Sequence, residues 1–185
     1  MSSPRDFQNS LAFGHAGESI VSRWLLSQGH TVIPIGSPNY TLHSHQGGAP
    51  VAYKNDRAIV CPDLMCATTD GMRWVEVKQK SRFAWYRRGQ CWNTGIDDRL
   101  WTHYRDCERV TGIPVWLLFL HRESTPSPGD QRYLPPGTLC PVGLFGIDLT
   151  RANECKRSGR DNNRTMWYWR ARDLKLLATL EEVLR

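Results

Sequence analysis

Residues 61 to 80 read CPDLMCATTDGMRWVEVKQK, and this stretch predicts a β-hairpin. One apolar run, from Ala58 to Ala67, begins just before this stretch and ends within it, and a second run extends from Met72 to Val77. The segment between the two runs ends in Asp-Gly, which is the strongest short-range sequence signal for a hairpin. We therefore expect two paired antiparallel strands at the centre of the fold.

The polar residues of this hairpin are predicted to meet on one of its faces. Side chains alternate along a strand, so Glu76 and Lys78 share one face while the neighbouring valines point toward a core. If the Asp-Gly pair forms a two-residue loop, Asp63 lies opposite Lys78, with Glu76 on the adjacent diagonal. A slip of one residue would separate these groups. The pattern predicts a cluster of two carboxylates and one amine.

Such a cluster indicates chemistry on phosphate esters. Carboxylates are hard oxygen ligands suited to Mg²⁺, which leaves positions for waters and for substrate phosphates. An ion held in this way polarises a phosphoryl oxygen and lowers the pKa of a bound water. The lysine amine can position that water or stabilise the charge that develops on phosphorus.

A helix is predicted upstream of the hairpin, from Asn9 to Gln28, with Ser10 as its N-cap and Gly29 as its stop. Glu18 lies beside the apolar stripe of this helix, and the residues one turn away on either side are small. That arrangement leaves room for a group to approach the carboxylate. The alternative is a solvated glutamate at the edge of the helix.

Pro62-Asp63, twelve intervening residues and Glu76-Val77-Lys78 resemble the signature of the PD-(D/E)XK nuclease superfamily. This superfamily includes restriction endonucleases, archaeal Holliday junction resolvases and repair exonucleases. The resemblance implies a Mg²⁺- or Mn²⁺-dependent nuclease that acts on DNA, with Lys78 assisting the attacking water. It implies these metal ligands: Asp63, Glu76 and, in a supporting position, Glu18. Because superfamily members that cut both strands often pair two sites, a homodimer stays open.

The resemblance also implies an α/β fold with a restriction-endonuclease-like αβββαβ core and a mixed central sheet flanked by helices. The core covers about residues 11–121 of a single 185-residue domain, and residues 122–185 are an elaboration with added strand and helix. The remaining core elements are predicted as follows: a strand over His30–Ile35, a helix from Asp97 or Asp98 to Val110 or Thr111, and a strand over Pro114–His121.

Four further segments are interpreted from their composition. Gly36–Asp56 is predicted to be a long loop that contacts substrate, and Arg151–Arg164 a basic loop that contacts duplex backbone or only solvent. Val142–Leu149 predicts a strand. Leu174–Leu184 predicts a terminal helix capped by Asp173.

The second predicted helix carries an apolar stripe that includes Leu100 and Tyr104. Some superfamily nucleases have a Gln-x-x-x-Tyr motif on the corresponding helix. Leu100 occupies the position of the glutamine here, so the motif is absent. Tyr104 is therefore interpreted as a core residue.

Basic and aromatic residues alternate directly after the hairpin, which is typical of a track that binds nucleic acid. The alternative is a solvated loop whose rings pack on the domain. The candidate contacts are Gln79, Lys80, Arg82, Trp85, Tyr86, Arg87 and Arg88.

Composition favours a polyanionic partner without identifying one. The formal net charge is +6 and the isoelectric point is about 9.2. The six cysteines include no Cys-x-x-Cys pair, the N-terminus lacks the apolar segment of a signal peptide, and no run approaches the length of a membrane span. We therefore expect a soluble, cytoplasmic protein that binds nucleic acid and no membrane.

Two alternatives to a nuclease remain at this stage. The chain is either a nucleic-acid-binding module or subunit that has kept the fold without catalysis, or a protein whose two acids and lysine form only a surface ion-pair cluster. Hydrolysis of labelled nucleic acid separates the first alternative from the nuclease.

Overall fold

The computed structural model describes residues 4–35, 51–54, 57–161 and 164–185. Two short 3₁₀ helices, Arg87–Gly89 and Ala171–Asp173, lie between larger elements. Those elements are, in chain order, α1 (Pro4–Ser27), β1 (Thr31–Pro34), β2 (Val51–Lys54), β3 (Arg57–Val60), β4 (Leu64–Thr68), β5 (Gly71–Lys80), β6 (Ala84–Tyr86), β7 (Cys91–Asp97), α2 (Asp98–Thr111), β8 (Val115–His121), α3 (Pro128–Gln131), β9 (Gly143–Asp148), α4 (Leu149–Cys155), β10 (Arg157–Asp161), β11 (Arg164–Arg170), β12 (Lys175–Ala178) and α5 (Leu180–Leu184).

The main sheet has six strands in the order β1-β4-β5-β8-β9-β12. Strands β5 and β8 are parallel, and every other neighbouring pair is antiparallel. The parallel pair requires a crossover, which includes α2. Read along this sheet up to β8, the elements follow the predicted order αβββαβ, and β9, β12 and α5 are the added C-terminal elements. The fold is α/β with a mixed central sheet flanked by helices, consistent with a restriction-endonuclease-like arrangement.

The two faces of the main sheet bury different sets of residues. On one face α1 contributes Ile20, Val21 and Leu25, which pack with Val75 and Val77 of β5. The other face is covered by α2 and by a second sheet of order β10-β11-β7-β6. Buried residues on that side are Trp74, Trp101, Tyr104, Cys107, Leu117, Phe119 and Trp169. Both faces of β5 are therefore covered, and the strand lies at the centre of the molecule.

The hairpin forms where it was predicted, but its register differs by two residues. Thr68 pairs with Gly71 and Leu64 with Val75, so Thr69 and Asp70 are the loop residues and Asp63 falls opposite Glu76 instead of Lys78. A loop made of Asp-Gly would need a positive φ at Asp70. Among the described residues Gln90 is the only non-glycine with positive φ, and Gly71 takes φ 116° at the end of the turn. Because the shift is an even number of residues, every side chain keeps its predicted face.

The first half of the apolar run has a different partner from the one predicted. Residues 57–60 pair with β2 in a separate two-stranded sheet, so the run is divided at Cys61. Strand β2 also lies inside the segment predicted as the loop Gly36–Asp56. Residues 36–50 and 55–56 of that loop lie outside the described residues.

Helix α1 begins at Pro4 and not at Asn9, so Ser10 lies within the helix and is not its N-cap. The predicted stop is close to the observed end, since Gly29 has φ 82° two residues after Ser27. Helix α2 agrees closely with its prediction. The Asp97 side chain accepts a hydrogen bond from the Arg99 amide at 2.8 Å, and Gly112 ends the helix in the left-handed conformation.

Two predictions for the C-terminal region are wrong. The segment Arg151–Arg164 is not a loop, because it contains most of α4, the strand β10 and the start of β11. The segment Leu174–Leu184 is not one helix capped by Asp173. Its first part is β12, which pairs with β9 at the edge of the main sheet, and Thr179 caps the short helix α5. The strand predicted over Val142–Leu149 is present as β9.

Candidate active site

Glu76 lies in the middle of β5 and is the most deeply buried of the candidate residues. Its side chain is 1% exposed and forms an ion pair with the amine of Lys78, which is 27% exposed. The hydroxyl of Tyr104, on α2, is close enough to the Glu76 carboxyl to lower its pKa. A buried carboxyl therefore has a cationic partner from its own strand and a neutral donor from the helix that covers it.

Asp63 is held immediately before β4 by two backbone contacts. Its Oδ2 accepts a hydrogen bond from the Val77 amide at 3.0 Å, and its carbonyl accepts one from the Ile35 amide at 3.1 Å. The register places Asp63 across from Glu76, and the two carboxyls are close enough for the charge of Asp63 to raise the pKa of Glu76. The backbone therefore orients both acids toward the same small volume.

The two carboxyls hold negative charge that the protein compensates incompletely. Burial, followed by the charge of Asp63, raises the pKa of Glu76 to about 7. Burial also raises the pKa of Asp63, and Lys78 opposes this effect. Burial disfavours the charged form of Lys78, but Glu76 and Asp63 outweigh it and raise the pKa of the amine. Lys78 is therefore a cation at neutral pH, and one lysine does not fully offset two buried acids.

Glu18 reaches the edge of this cluster from α1. Its side chain is 31% exposed, and its Oε2 lies 3.4 Å from Nδ1 of His15. The charge of Glu18 acts on both Asp63 and Lys78, which places it within electrostatic range of the site. The described residues include no group of three Asp, Glu, His or Cys side chains arranged closely enough to hold a metal ion. Glu18 therefore lies near the two acids, but its carboxylate is not close enough to form a three-ligand metal site with them.

The residues present fit a hard divalent cation. Asp63 and Glu76 offer carboxylate oxygens, without the thiolates or imidazoles that favour zinc. Their mutual repulsion and burial are the conditions that a bound cation relieves. The fit is thus based on the donor atoms and on the charge of the pair.

Helix α1 approaches β5 very closely at Gly17. A Cβ atom at this position would lie 2.6 Å from Cβ of Gln79, a distance that real Cβ contacts almost never show. Gln79 is 8% exposed on the face opposite Glu76, and its two amide atoms lack a hydrogen-bond partner among the described residues. This sequence-predicted contact for nucleic acid therefore lies under α1.

Among the candidates for the nucleic-acid track, Lys80 lies on the same face of β5 as Glu76 and Lys78. It pairs in register with His121, and burial and the charge of Lys78 lower its pKa. Asp161, at the tip of the β10–β11 hairpin, opposes this change, so its charge lies within range of Lys80. The basic side of the site thus continues from Lys78 toward that hairpin.

Most of the other candidates for the nucleic-acid track have structural contacts. Arg82 forms an ion pair with Glu123 and donates to the Thr125 carbonyl at 2.9 Å. The Trp85 ring packs edge-on against Trp92 at 5.0 Å. The remaining members are more open: Arg87 lies 4.1 Å over the Tyr133 ring, Tyr86 is 41% exposed, and Arg88 is exposed. The structure does not bring these side chains together with Asp63 and Glu76.

Tyr104 was interpreted from the sequence as a core residue, and its role at Glu76 was missed. Its ring is buried as expected, at 2% exposure. Tyr104 carries a hydroxyl group on the buried stripe of α2, and a buried tyrosine hydroxyl normally requires a hydrogen-bond partner. The requirement for a partner was the available signal, although the sequence did not show that the partner is Glu76.

The fold is similar to that of the Holliday junction resolvase Hjc from Archaeoglobus fulgidus, with 9% identity and a TM-score of 0.47 over 86% of this chain and 90% of that chain. It is also similar to a nuclease from a fusselovirus, with 13% identity and a TM-score of 0.39 over 100% of this chain and 94% of that chain. No family model and no curated protein matches the sequence. These structural similarities are too weak to assign a function. None of the described helices has the length and apolar character needed to cross a membrane.

Proposed function

We propose that this protein is a divalent-metal-dependent nuclease that hydrolyses phosphodiester bonds, with DNA as its substrate. The observation that supports this most directly is that the hairpin register places the Asp63 and Glu76 carboxyls opposite each other, with Glu76 paired to the amine of Lys78. A purely structural pair of buried acids is unfavourable, because each raises the energy of the other's charged form. A bound cation would offset this cost, so a metal-dependent function accounts for the presence of both acids.

Each residue has a distinct role in this proposal. Asp63 and Glu76 hold Mg²⁺ or Mn²⁺ through their carboxylate oxygens, and Glu18 supports the ion or its waters from α1. A bound ion of this kind supplies polarisation of the phosphoryl oxygen and a lowered pKa for a coordinated water. Lys78 remains protonated beside the two acids, so it orients the attacking water and stabilises negative charge on the phosphate.

The test is hydrolysis of labelled linear, branched and single-stranded DNA with and without Mg²⁺. Wild-type protein is expected to cleave at least one substrate only with the metal, and Asp63→Asn is expected to lose this activity. Glu181→Gln is the matched control, because Glu181 is an exposed carboxylate on α5, paired only with Arg185. No cleavage by the wild type, or undiminished cleavage by Asp63→Asn, contradicts the proposal.

The same assay separates the nuclease from the binding module considered above. Binding of DNA in EDTA without hydrolysis in Mg²⁺ or Mn²⁺ favours the module. Isothermal titration with Mg²⁺ then adds a readout that does not depend on turnover. The nuclease requires metal binding that Asp63→Asn weakens and that Glu181→Gln leaves unchanged.

A further inference from the structure

The second sheet has one face that does not pack on the core. Trp169 and Ile96 are buried on its inner side, at 0% and 2% exposure. Alternate residues of the same strands point the opposite way, and Tyr168 is the large aromatic residue at the centre of this outer face. It pairs with Gly95 of β7 on one side and with Arg157 of β10 on the other.

Two glycines provide the space that the Tyr168 ring occupies. A Cβ at Gly159 would lie 2.7 Å from Cε2 of the ring, and a Cβ at Gly95 would lie 2.7 Å from Cδ1. Opposite edges of the ring therefore lie over opposite neighbouring strands, so the ring spans the sheet from β7 to β10. Tyr168 is only partly buried, which leaves part of this ring at the surface.

Cationic side chains flank the ring on the same face. Arg157 is directly across from Tyr168, and Arg164 lies four residues before it on the same strand. Neither arginine forms an ion pair with any residue in the described part of the chain, whereas Arg170 on this face is bound by Asp173. An aromatic ring at the surface, with unpaired arginines on the same face, is an arrangement that binds unpaired nucleotides, because bases stack on the ring and phosphates meet the cations.

The end of this face at the β10–β11 hairpin lies within electrostatic range of β5. Asp161 lies across from Arg164, and its charge acts on Lys80. Lys80 follows Lys78 by two residues on the same face of β5. The hairpin end of the outer face is therefore within electrostatic range of the strand that carries Glu76 and Lys78.

We propose that the outer face of the second sheet binds single-stranded nucleic acid, with Tyr168 stacking on a base and Arg157 and Arg164 contacting phosphates. This inference rests on the proposed nuclease function and deepens it, because it names substrates with unpaired nucleotides near the cleavage site. A duplex offers its phosphates but keeps its bases stacked on each other, so the ring would not contribute to duplex binding.

The test measures binding of fluorescein-labelled oligo(dT) and of a duplex of equal length, both in EDTA. Tyr168→Ala is expected to weaken binding of oligo(dT) by about tenfold to a hundredfold, and Tyr168→Phe by less than about threefold, because the ring is retained. Duplex binding is expected to change by less than about threefold in both. Leu184→Ala, which removes a 46% exposed side chain from α5 on the α1 side of the main sheet, is the control and is expected to have no effect.

A second variant displaces the ring without removing it. Gly159→Ala brings its new methyl group against the Tyr168 ring, and the three atoms nearest to that methyl position all belong to this ring. Alone, it is expected to weaken oligo(dT) binding. Combined with Tyr168→Ala, it is expected to cause no additional loss, because the two changes act through the same ring.

The arginines give an independent readout. Arg157→Gln and Arg164→Gln are each expected to reduce the slope of log affinity against log salt by about 0.7 for a single strand. Equal losses for oligo(dT) and duplex in Tyr168→Ala, or a loss in Tyr168→Phe as large as that in Tyr168→Ala, overturn the proposal. Since binding is measured without metal, failure here is distinguishable from failure of hydrolysis.

Discussion

The two faces of β5 differ in chemical character. The face toward α1 is apolar at Val75 and Val77, whereas the face toward α2 carries Glu76, Lys78 and Lys80. Because alternate residues of one strand point to opposite faces, a single ten-residue strand supports the core and the candidate chemistry at once. Changes on the α2 face are therefore expected to affect activity, and changes on the α1 face to affect stability.

The largest expected effect is on activity from the α2 face. Glu76→Gln should lower cleavage by about 10²–10³-fold or more, because it removes a charged group that acts on the transition state through the metal. Without metal, its free energy of unfolding at pH 7 should be unchanged or higher, since one of two repelling buried acids becomes neutral. Cleavage assays and urea denaturation test the two halves. A Glu76→Gln variant that is less stable but fully active would contradict the assignment of the α2 face to activity.

The next effect is on stability from the α1 face. Leu25→Ala should lower the free energy of unfolding by about 2–5 kcal/mol, because Leu25 is 1% exposed and packs in the α1-side core. Leu26→Ala, at a neighbouring residue that is 54% exposed, should change it by less than about 0.5 kcal/mol. The rate of cleavage per folded molecule should stay the same in both. Denaturation midpoints measure stability, and active-site titration corrects the rates for the folded fraction.

A smaller effect is the pH dependence of stability without metal. The pKa of Glu76 rises from 4.5 to about 7 on folding, so the folded protein binds more protons than the unfolded chain between these values. The free energy of unfolding should therefore fall as pH rises through this window, by at most about 1.4 kcal/mol per pH unit. Burial and the charge of Lys80 lower the pKa of His121 from 6.5 to about 3, which gives the opposite slope between those two values.

The Glu76→Gln variant separates these two contributions. Denaturation in EDTA at pH 5, 6 and 7 should show a more positive slope in the variant than in the wild type, because only the His121 contribution and that of Asp63 remain. Identical slopes in the two proteins would mean that Glu76 titrates at its ordinary value and that its charge is already compensated.

The smallest expected effect sharpens the comparison at α2. Tyr104→Phe keeps the buried ring but removes the hydroxyl that lowers the Glu76 pKa. Cleavage should fall by about tenfold, which is the effect expected when a polar group that favours a charged carboxylate is removed. The acidic limb of the pH–rate profile should also move to higher pH, because the hydroxyl lowers the Glu76 pKa. A change in stability without a shift of the profile would assign Tyr104 to packing alone.

The sequence predicted the elements whose local signals are strong. Alternation in β5, the Asp97 cap and the Gly112 stop of α2, and the apolar run of β8 each specify one structure with little help from the rest of the chain. The predicted face of each hairpin residue was also right, because an even shift preserves it. The predicted cross-strand partner of Asp63 was wrong. The sequence does not show that the positive φ of the turn falls at Gly71 instead of Asp70.

The C-terminal region was harder to predict because its local signals are ambiguous. The leucines of residues 174–184 fit helical spacing, but β12 forms where β9 offers an unpaired edge, and that contact is distant in sequence. Arg151–Arg164 was predicted as a loop from its charge, although Asp148 is an N-cap whose side chain accepts from the Arg151 amide at 2.8 Å. The roles of Tyr104 and Tyr168 depend on partners from other elements, which composition does not reveal.

Gly17 determines how far α1 stands from β5, and the next residue of the helix is Glu18. Because Gly17 has no side chain, the helix backbone can pack directly against the Gln79 side chain. The distance between Glu18 and the two strand-borne acids is then fixed by a steric stop and not by any attraction among the three. The spacing between these mutually repelling carboxylates is therefore set by the uncharged contact between Gly17 and Gln79.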